Sequence, residues 1–176
     1  MKSYSVTTVL GVFADFGFIR SEVLEAAIAR GNAVHAAAAT YAGGMYVPPL
    51  PREYRGYFDS FKGWFDSRVR RVIFIEKRLY NVVYYFDGQP DLGCELADGR
   101  LVVVDYKTPA AESPTWKAQI AAYCDLAEDE FGGDWDGMSL RLRRDGKPAI
   151  ANVYDSHGND FAAFLAALTA YRYFKD

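Results

Sequence analysis

The sequence has few of the residues that form covalent or metal cross-links, since only two of its 176 residues are cysteine and only two are histidine. Two cysteines, Cys94 and Cys124, cannot build a disulfide scaffold or supply the four thiolates of an iron–sulfur cluster. They are also too few for a four-thiolate zinc site. We therefore expect ordinary buried thiols, no iron–sulfur cluster, and a reducing compartment such as the cytoplasm.

Long apolar runs are also lacking. No segment approaches the roughly 20 apolar residues of a membrane helix, and the N-terminus lacks the apolar core of a signal peptide. Excess positive charge is absent too, because 20 Lys+Arg stand against 23 Asp+Glu. The net charge of −3 argues against a non-specific coat of nucleic acid. The net charge does not exclude nucleic-acid binding at a site where carboxylates hold metal ions, because the cations reverse the sign of the local field.

What the chain does contain is the composition of a folded protein, with 51% hydrophobic and 24% charged residues. Aromatic residues reach 16%. They indicate a thick core, and they could also provide surfaces on which bases stack. The length suits one compact unit, so we expect a single domain over residues 1–176.

The first 68 residues are expected to be mainly helical. Residues 5–18 suggest a short helix and a loop. A helix from Ser21 is interrupted at Gly31 and resumes over residues 33–41. Residues 52–68 have the apolar spacing of an amphipathic helix, whose aromatic stripe should pack in the core.

From residue 69 onward the pattern alternates as in strands. The expected strands are residues 71–79, 82–86, 92–97, 101–107, 138–144 and 148–154, with turns at Asp87–Gly88, Asp98–Gly99 and Asp145–Gly146. Helices are expected over residues 115–130 and 159–174. This order predicts an α/β (α+β) layered fold with a mixed sheet flanked by helices.

Asp91, Asp105 and Lys107 form the constellation that points to chemistry. Asp105 and Lys107 lie two apart on one expected strand, so their side chains point to the same side of the sheet. Asp91 begins the neighbouring strand, and the Asp98–Gly99 turn joins the two strands as a hairpin. The three side chains should therefore meet at one edge of the sheet.

Two carboxylates and a lysine on one face suit the hydrolysis of phosphodiesters. Carboxylate oxygens bind hard divalent cations such as Mg²⁺. Such an ion polarises the phosphate and activates water. A lysine with a lowered pKa could orient or deprotonate that water.

This pattern resembles the PD-(D/E)XK nuclease superfamily, with Pro90–Asp91 as the "PD" and Asp105–Tyr106–Lys107 as the "(D/E)XK". The closer likeness is to its RecB-like exonuclease branch. That branch adds a Q-x-x-x-Y spacing on the following helix, which Gln119 and Tyr123 match; residues four apart share one helix face.

Three further segments extend the resemblance over about residues 5–124. Arg30–Gly31 followed by His35 matches the upstream histidine motif of this branch. Residues 5–10 resemble the opening of phage and prophage exonucleases. Glu76 fits a recurring acidic residue before the strands, although a plain salt bridge is an equal alternative for it.

The resemblance implies a restriction-endonuclease-like fold and a role for each matched residue. His35, Asp91, Asp105 and the Tyr106 carbonyl would bind Mg²⁺ or Mn²⁺, and a nitrogen ligand makes Mn²⁺ a good activator. The resemblance also implies that Lys107 acts on the water and that Glu76 supports a metal or its water shell. Gln119 and Tyr123 would position Lys107 or the phosphate. Relatives that carry a four-cysteine iron–sulfur cluster do not match this chain.

Two basic groups could contact the DNA backbone, although charge runs are usually solvated faces. They are Arg68, Arg70, Arg71, Lys77 and Arg78 in one group, and Arg141, Arg143 and Arg144 in the other. We select Arg70, Arg71, Arg141 and Arg143 as the candidate DNA contacts, together with Tyr123.

The leading hypothesis from the sequence is a metal-dependent deoxyribonuclease, of exonuclease type, in recombination, repair or phage DNA processing. No helicase motif is present, so a recombination or replication partner or a homo-oligomer could supply a motor or clamp. The first alternative is a catalytically weak module of the same fold that binds DNA or protein. A structural protein with an incidental acidic cluster is the second.

Overall fold

The computed structural model describes residues 2–13, 20–109, 112–154 and 157–175, so residues 14–18 of the expected N-terminal loop lie outside the described residues. In chain order the elements are β1 Tyr4–Ser5, α1 Val6–Gly11, α2 Ser21–Ala42, α3 Arg52–Arg68, β2 Val69–Ile75, β3 Leu79–Asn81, β4 Phe86–Gly88, β5 Leu92–Leu96, β6 Leu101–Lys107, α4 Thr115–Phe131, β7 Trp135–Arg141, β8 Ile150–Tyr154 and α5 His157–Lys175. Within these ranges, every helix is too short or too polar to cross a membrane.

A five-stranded mixed sheet in the order β2-β5-β6-β7-β8 organises the molecule. Strands β6 and β7 are parallel, and α4 connects them. The other neighbouring strands pair antiparallel. The expected hairpins β5–β6 and β7–β8 are therefore both confirmed, as is the mixed sheet with flanking helices.

Strand β6 is the buried centre of this sheet. Val102, Val103 and Val104 are fully buried. Val103 packs with α4, α5 and α1, whereas Val102 and Val104 pack with α2 and α3. Because both faces of the strand are covered, an unbroken apolar run replaces the usual polar alternation. The aromatic stripe of α3 belongs to the second of these cores, as expected.

The two cysteines lie on opposite sides of the sheet, and both are buried free thiols. Burial raises the pKa of Cys94 to about 12 and raises that of Cys124 as well. Both side chains therefore remain protonated and behave as apolar core residues, as the sequence predicted.

A second sheet of three short strands, β1-β4-β3, was not predicted. The expected strand over residues 82–86 is wrong, since residues 82–85 form a turn. The Oδ1 of Asn81 accepts hydrogen bonds from the backbone N–H groups of Val83 and Tyr84 at 2.9 and 2.7 Å, which closes that turn.

The expected Asp87–Gly88 turn is also wrong, because both residues lie in β4. Gly88 serves packing rather than chain reversal. A Cβ atom at this position would lie 2.6 Å from the ring of Tyr123. The glycine thus allows β4 to approach α4 closely enough to hold Tyr123 in place.

Gly31 does not interrupt the second helix, as α2 runs unbroken from Ser21 to Ala42. A glycine inside a helix costs about 1 kcal/mol relative to alanine, which the alanine-rich flanks and tertiary packing outweigh. Val34 and Ala38 are fully buried and anchor this part of α2.

Strand β7 starts three residues earlier than expected, at Trp135 rather than Met138. Its parallel pairing with β6 begins at Leu101 opposite Trp135, and this pairing extends the strand beyond its own apolar pattern. The turn at Asp145–Gly146 is confirmed, and Gly146 has a φ of +73°, which favours glycine.

Replacing Gly56 with alanine should destabilise the protein by about 1–3 kcal/mol, because a well-packed contact becomes overpacked. A Cβ atom at Gly56 would lie 1.8 Å from the carbonyl oxygen of Arg144. Gly63 is the matched control on the same helix, since a Cβ atom there meets nothing within 4 Å. Gly63→Ala should stabilise by up to about 1 kcal/mol. Urea unfolding of both variants measures the difference, and equal effects would contradict the close contact.

Asp125 should make stability depend on pH. Burial, assisted by the charges of Asp129 and Glu128, raises the pKa of Asp125 to about 6, against the hydrogen bond from Asn81. The folded state therefore binds more protons than the unfolded state between the ordinary and the raised pKa. The contribution of protonated Asp125 to the free energy of unfolding is present at acidic pH and is lost as pH rises through about 6.

Asp125→Asn removes that loss, so it should stabilise the protein more at pH 7.5 than at pH 5. The difference should be about 1 kcal/mol after allowance for solvent screening. Urea unfolding at the two pH values measures it. Glu53→Gln, on the exposed first turn of α3, controls for the loss of one negative charge. An equal gain for Asp125→Asn at both pH values would refute the assignment.

Candidate active site

The β5–β6 hairpin sets the position of Asp91. Leu92 pairs with Val104, so Asp91, one residue before β5, lies opposite Asp105. The backbone N–H of Tyr106 donates to Asp91 Oδ2 at 2.6 Å. The strand backbone therefore holds this carboxylate at the end of the sheet.

Asp105 and Lys107 lie on the α4 side of β6. The Nζ of Lys107 is 2.5 Å from Asp105 Oδ2, and the two side chains are only 13% and 8% exposed. The alternation of the strand places them side by side, as the sequence indicated. The lysine is therefore anchored beside the carboxylate instead of extending into solvent.

Gln119, on α4, joins these residues to Tyr123. Its Oε1 accepts from Lys107 Nζ at 2.8 Å, and its Nε2 donates to Asp105 Oδ1 at 3.2 Å. The same Nε2 donates to the hydroxyl of Tyr123 at 3.1 Å, one helical turn later. Tyr123 is 2% exposed. It therefore lies behind Gln119 and away from the surface.

Trp116 completes the surroundings of the lysine and was not predicted from the sequence. Its ring centroid lies 5.3 Å from Lys107 Nζ, within the range of a cation–π interaction. Trp116 precedes Gln119 by three residues, so both occupy one face of α4. That spacing was the available signal.

His35 approaches from α2, on the other side of β6. Its Nδ1 lies 3.0 Å from Asp91 Oδ1, and its ring meets the ring of Tyr106 edge-on at 5.5 Å. Burial alone would lower the pKa of His35, but the hydrogen bond and charge of Asp91 outweigh it and raise the pKa. The end of β6 thus lies between α2 and α4.

Asp105 is the most deeply buried acid of this cluster. Burial raises its pKa, and the charge of Asp91 adds to that effect, while Lys107 opposes it. Its Oδ2 has no hydrogen-bond partner of good geometry among the described residues, even though Lys107 Nζ is close. An additional positive charge at this oxygen would relieve the cost of burying the carboxylate.

Glu76 lies beside Asp91 but not within a strand, so its expected place in the strand over residues 71–79 is wrong. Strand β2 ends at Ile75, and Glu76 has a φ of +44°. Its backbone N–H donates to the carbonyl oxygen of Asp91 at 3.0 Å. Left-handed backbone at a non-glycine residue is strained, and such strain is concentrated at functional sites. Within the part of the chain that the structure describes, Glu76 has no ion pair.

A metal ion would find suitable donor atoms here. The imidazole of His35 and the carboxylates of Asp91 and Asp105 are a donor set typical of Mg²⁺ or Mn²⁺. Over the described ranges, however, no group of three or more His, Cys, Asp or Glu residues is already arranged as a metal site. The carboxylates instead contact Lys107, His35 and backbone N–H groups. The buried Oδ2 of Asp105, which has the charge of Lys107 beside it but no hydrogen bond of good geometry among the described residues, is the observation that fits a cation.

The four arginines selected from the sequence lie in different places. Arg141 pairs in register with Lys107 across the parallel strands, so it lies at the site. Arg143 is nearby and forms an ion pair with Asp145. Arg70 and Arg71 both bind Glu95. They lie along the sheet about 13 Å from Asp91, at 3.3 Å per strand residue, so the structure does not bring them to the site.

Comparison with known proteins identifies the family. The model of the PD-(D/E)XK nuclease superfamily matches residues 49–170, which is more than half of the chain. The match includes Asp91, Asp105, Lys107 and α4, whereas His35 lies before it. No curated protein sequence matches the chain. With its mixed sheet and flanking helices in a restriction-endonuclease-like arrangement, the chain belongs to the PD-(D/E)XK nuclease superfamily.

Proposed function

We propose that this protein is a divalent-metal-dependent deoxyribonuclease that degrades DNA from its ends, as a single RecB-like domain acting in recombination, repair or phage DNA processing. The single observation that carries the proposal is the buried network in which Lys107 contacts both Asp105 and Gln119. A lysine fixed between a carboxylate and an amide, at the end of a strand, is suited to chemistry on a phosphodiester.

His35, Asp91, Asp105 and the carbonyl of Tyr106 would hold the Mg²⁺ or Mn²⁺ ion. When bound, the ion supplies Lewis-acid stabilisation of the charge that develops on the phosphate. With two of its three N–H donors directed at Asp105 and Gln119, Lys107 orients the attacking water through the third. Gln119 keeps that Nζ in place, and Tyr123 keeps Gln119 in place.

The remaining contacts of the site support these roles. Trp116 closes one side of Lys107 and excludes bulk water from it. The backbone of Glu76 is hydrogen-bonded to that of Asp91, which supports a role for its side chain beside the metal or its water shell. Arg141, beside Lys107, and Arg143 would contact the DNA backbone. A second copy of the chain or a partner protein would supply further positive charge.

Degradation of end-labelled linear DNA and closed circular DNA, each with Mn²⁺, Mg²⁺ or EDTA, tests the proposal. We expect the linear form alone to disappear, and only when a metal is present. Cleavage of the closed circular DNA, which has no ends, would show that the enzyme is an endonuclease and not an exonuclease. No cleavage of either form with any metal would refute the enzyme, and it would favour a module that binds DNA or protein without cutting it.

A further inference from the structure

A cavity of about 690 Å³ opens directly beside the site. Thr108 and Pro109, the residues that follow Lys107, form part of its wall, and so does Arg141. Consecutive Cα atoms are about 3.8 Å apart, so the cavity begins within one or two residues of Lys107. A larger cavity of about 810 Å³ lies at the other end of β6, near Arg100, and is remote from this chemistry.

The charge of the smaller cavity is unlike that of the chain. Its walls carry four arginines and one aspartate, whereas the whole protein has a net charge of −3. The charged residues are Arg30, Arg141, Arg143, Arg144 and Asp145. Such a concentration of guanidinium groups in one concave place creates a local positive field that attracts an anion.

Arg30 is the residue of this group to which the sequence pattern assigned no role. Its guanidinium lies 5.3 Å from the centroid of the Tyr57 ring, which holds it by a cation–π interaction. Its Nε is buried and has no hydrogen-bond partner among the described residues. A buried donor without an acceptor costs free energy, and a rotation of the Arg30 side chain that turns Nε toward a phosphate oxygen in the cavity would remove that cost.

The opposite wall is held by backbone contacts. The N–H of Leu142 donates to the carbonyl oxygen of Lys107 at 2.7 Å, and the N–H of Arg143 donates to Ser60 Oγ at 3.1 Å. Gly56 of α3 contacts the backbone of Arg144 so closely that no side chain fits between them. The arginines of the loop after β7 are therefore held to α3 and to the end of β6.

We propose that this cavity binds a phosphate of the substrate strand adjoining the phosphate that is cleaved, with Arg30 as the ligand fixed on its α2 wall. The proposal rests on the function proposed above and deepens it. The planar fork of an arginine matches phosphate oxygens in a bidentate geometry that lysine cannot reproduce. The group bound is either an internal diester of the strand or the monoester at its end.

Binding of fluorescent oligonucleotides in EDTA tests this proposal independently of cleavage. In one series a single phosphate at successive positions is replaced by a neutral methylphosphonate. In another the terminal phosphate is replaced by a hydroxyl. For the wild type, one replacement should weaken binding about tenfold, the effect of losing a charge-assisted hydrogen bond. The series that contains this position tells the diester from the monoester.

In Arg30→Gln the same replacement should weaken binding less than in the wild type, by about threefold, since the Arg30 contact is already lost and only the other arginines of the cavity remain. The slope of log affinity against log salt concentration should decrease by about the value of one phosphate contact. Arg30→Lys should recover only part of the affinity. Arg100→Gln is the control, because Arg100 lies at the opposite end of β6. This variant should bind DNA with the affinity of the wild type.

An Arg30→Gln variant in which the replacement weakens binding as much as in the wild type would overturn the proposal. So would a wild type whose binding is insensitive to every replacement. Thermal unfolding of each variant checks that the fold is retained, and the wild-type series needs no variant at all. Failure of the proposed nuclease activity would appear separately, as absence of cleavage by a wild type that still binds DNA.

Discussion

Lys107→Ala should lower the rate of DNA cleavage about a thousandfold, the typical effect of removing a positioned proton donor or charge. The lysine is held by Asp105 at 2.5 Å and by Gln119 at 2.8 Å, so neighbouring side chains cannot take its place. Initial rates on linear DNA at saturating Mn²⁺ measure the effect. We expect a loss in kcat with little change in KM, because the interaction acts in the transition state.

Lys62→Ala is the matched control. Lys62 forms an exposed ion pair with Asp66 on α3, so its loss removes one positive charge without touching the site. That variant should cleave as fast as the wild type. If Lys107→Ala retained more than about a tenth of the rate, a positioned proton donor or charge could not be the role of this side chain.

Asp105→Asn should abolish the stabilisation of the folded protein by divalent cations. A cation that binds only the folded state at one hundred times its Kd stabilises it by about 2.7 kcal/mol. The wild type should therefore unfold at a higher temperature in Mn²⁺ than in EDTA. The variant lacks the buried carboxylate that such a cation would satisfy, so its Tm should be the same in both solutions.

Asp66→Asn serves as the control for Asp105→Asn, because Asp66 is an exposed acid on α3. It should keep the full shift in Tm. A shift in Tm of equal size in the wild type and in Asp105→Asn would mean that the cation binds to another part of the protein. No shift in any variant would remove the metal from the proposal altogether.

Local periodicity explains which parts of the site could be predicted. Two positions along a strand return to the same face, so Asp105 and Lys107 could be paired from the amino-acid sequence alone. Four positions along a helix do the same for Gln119 and Tyr123. The hairpin turn then brought Asp91 alongside. These predictions needed only distances of a few residues.

Contacts between distant segments could not be predicted in this way. The small β1-β4-β3 sheet depends on strands of two or three residues, too short for a visible pattern. The prediction of a turn at Asp87–Gly88 was wrong because the chain reverses earlier, over residues 82–85, where the side chain of Asn81 closes the turn. Arg30 belongs to the Arg30–Gly31 motif, but its neighbours in the sequence do not show that it lines a cavity, since the other lining residues are at positions 57, 108, 109, 141–145 and 150.

The two carboxylate oxygens of Asp91 connect β6 of the sheet with α2, two elements that are far apart in the sequence. One accepts from the backbone of β6, and the other contacts His35 on α2. Lys107 is held in turn by α4. An intermediate with only the sheet formed, or with either helix undocked, would lack the assembled constellation. A site that needs both helices would therefore become competent only after α2 and α4 have docked on the sheet.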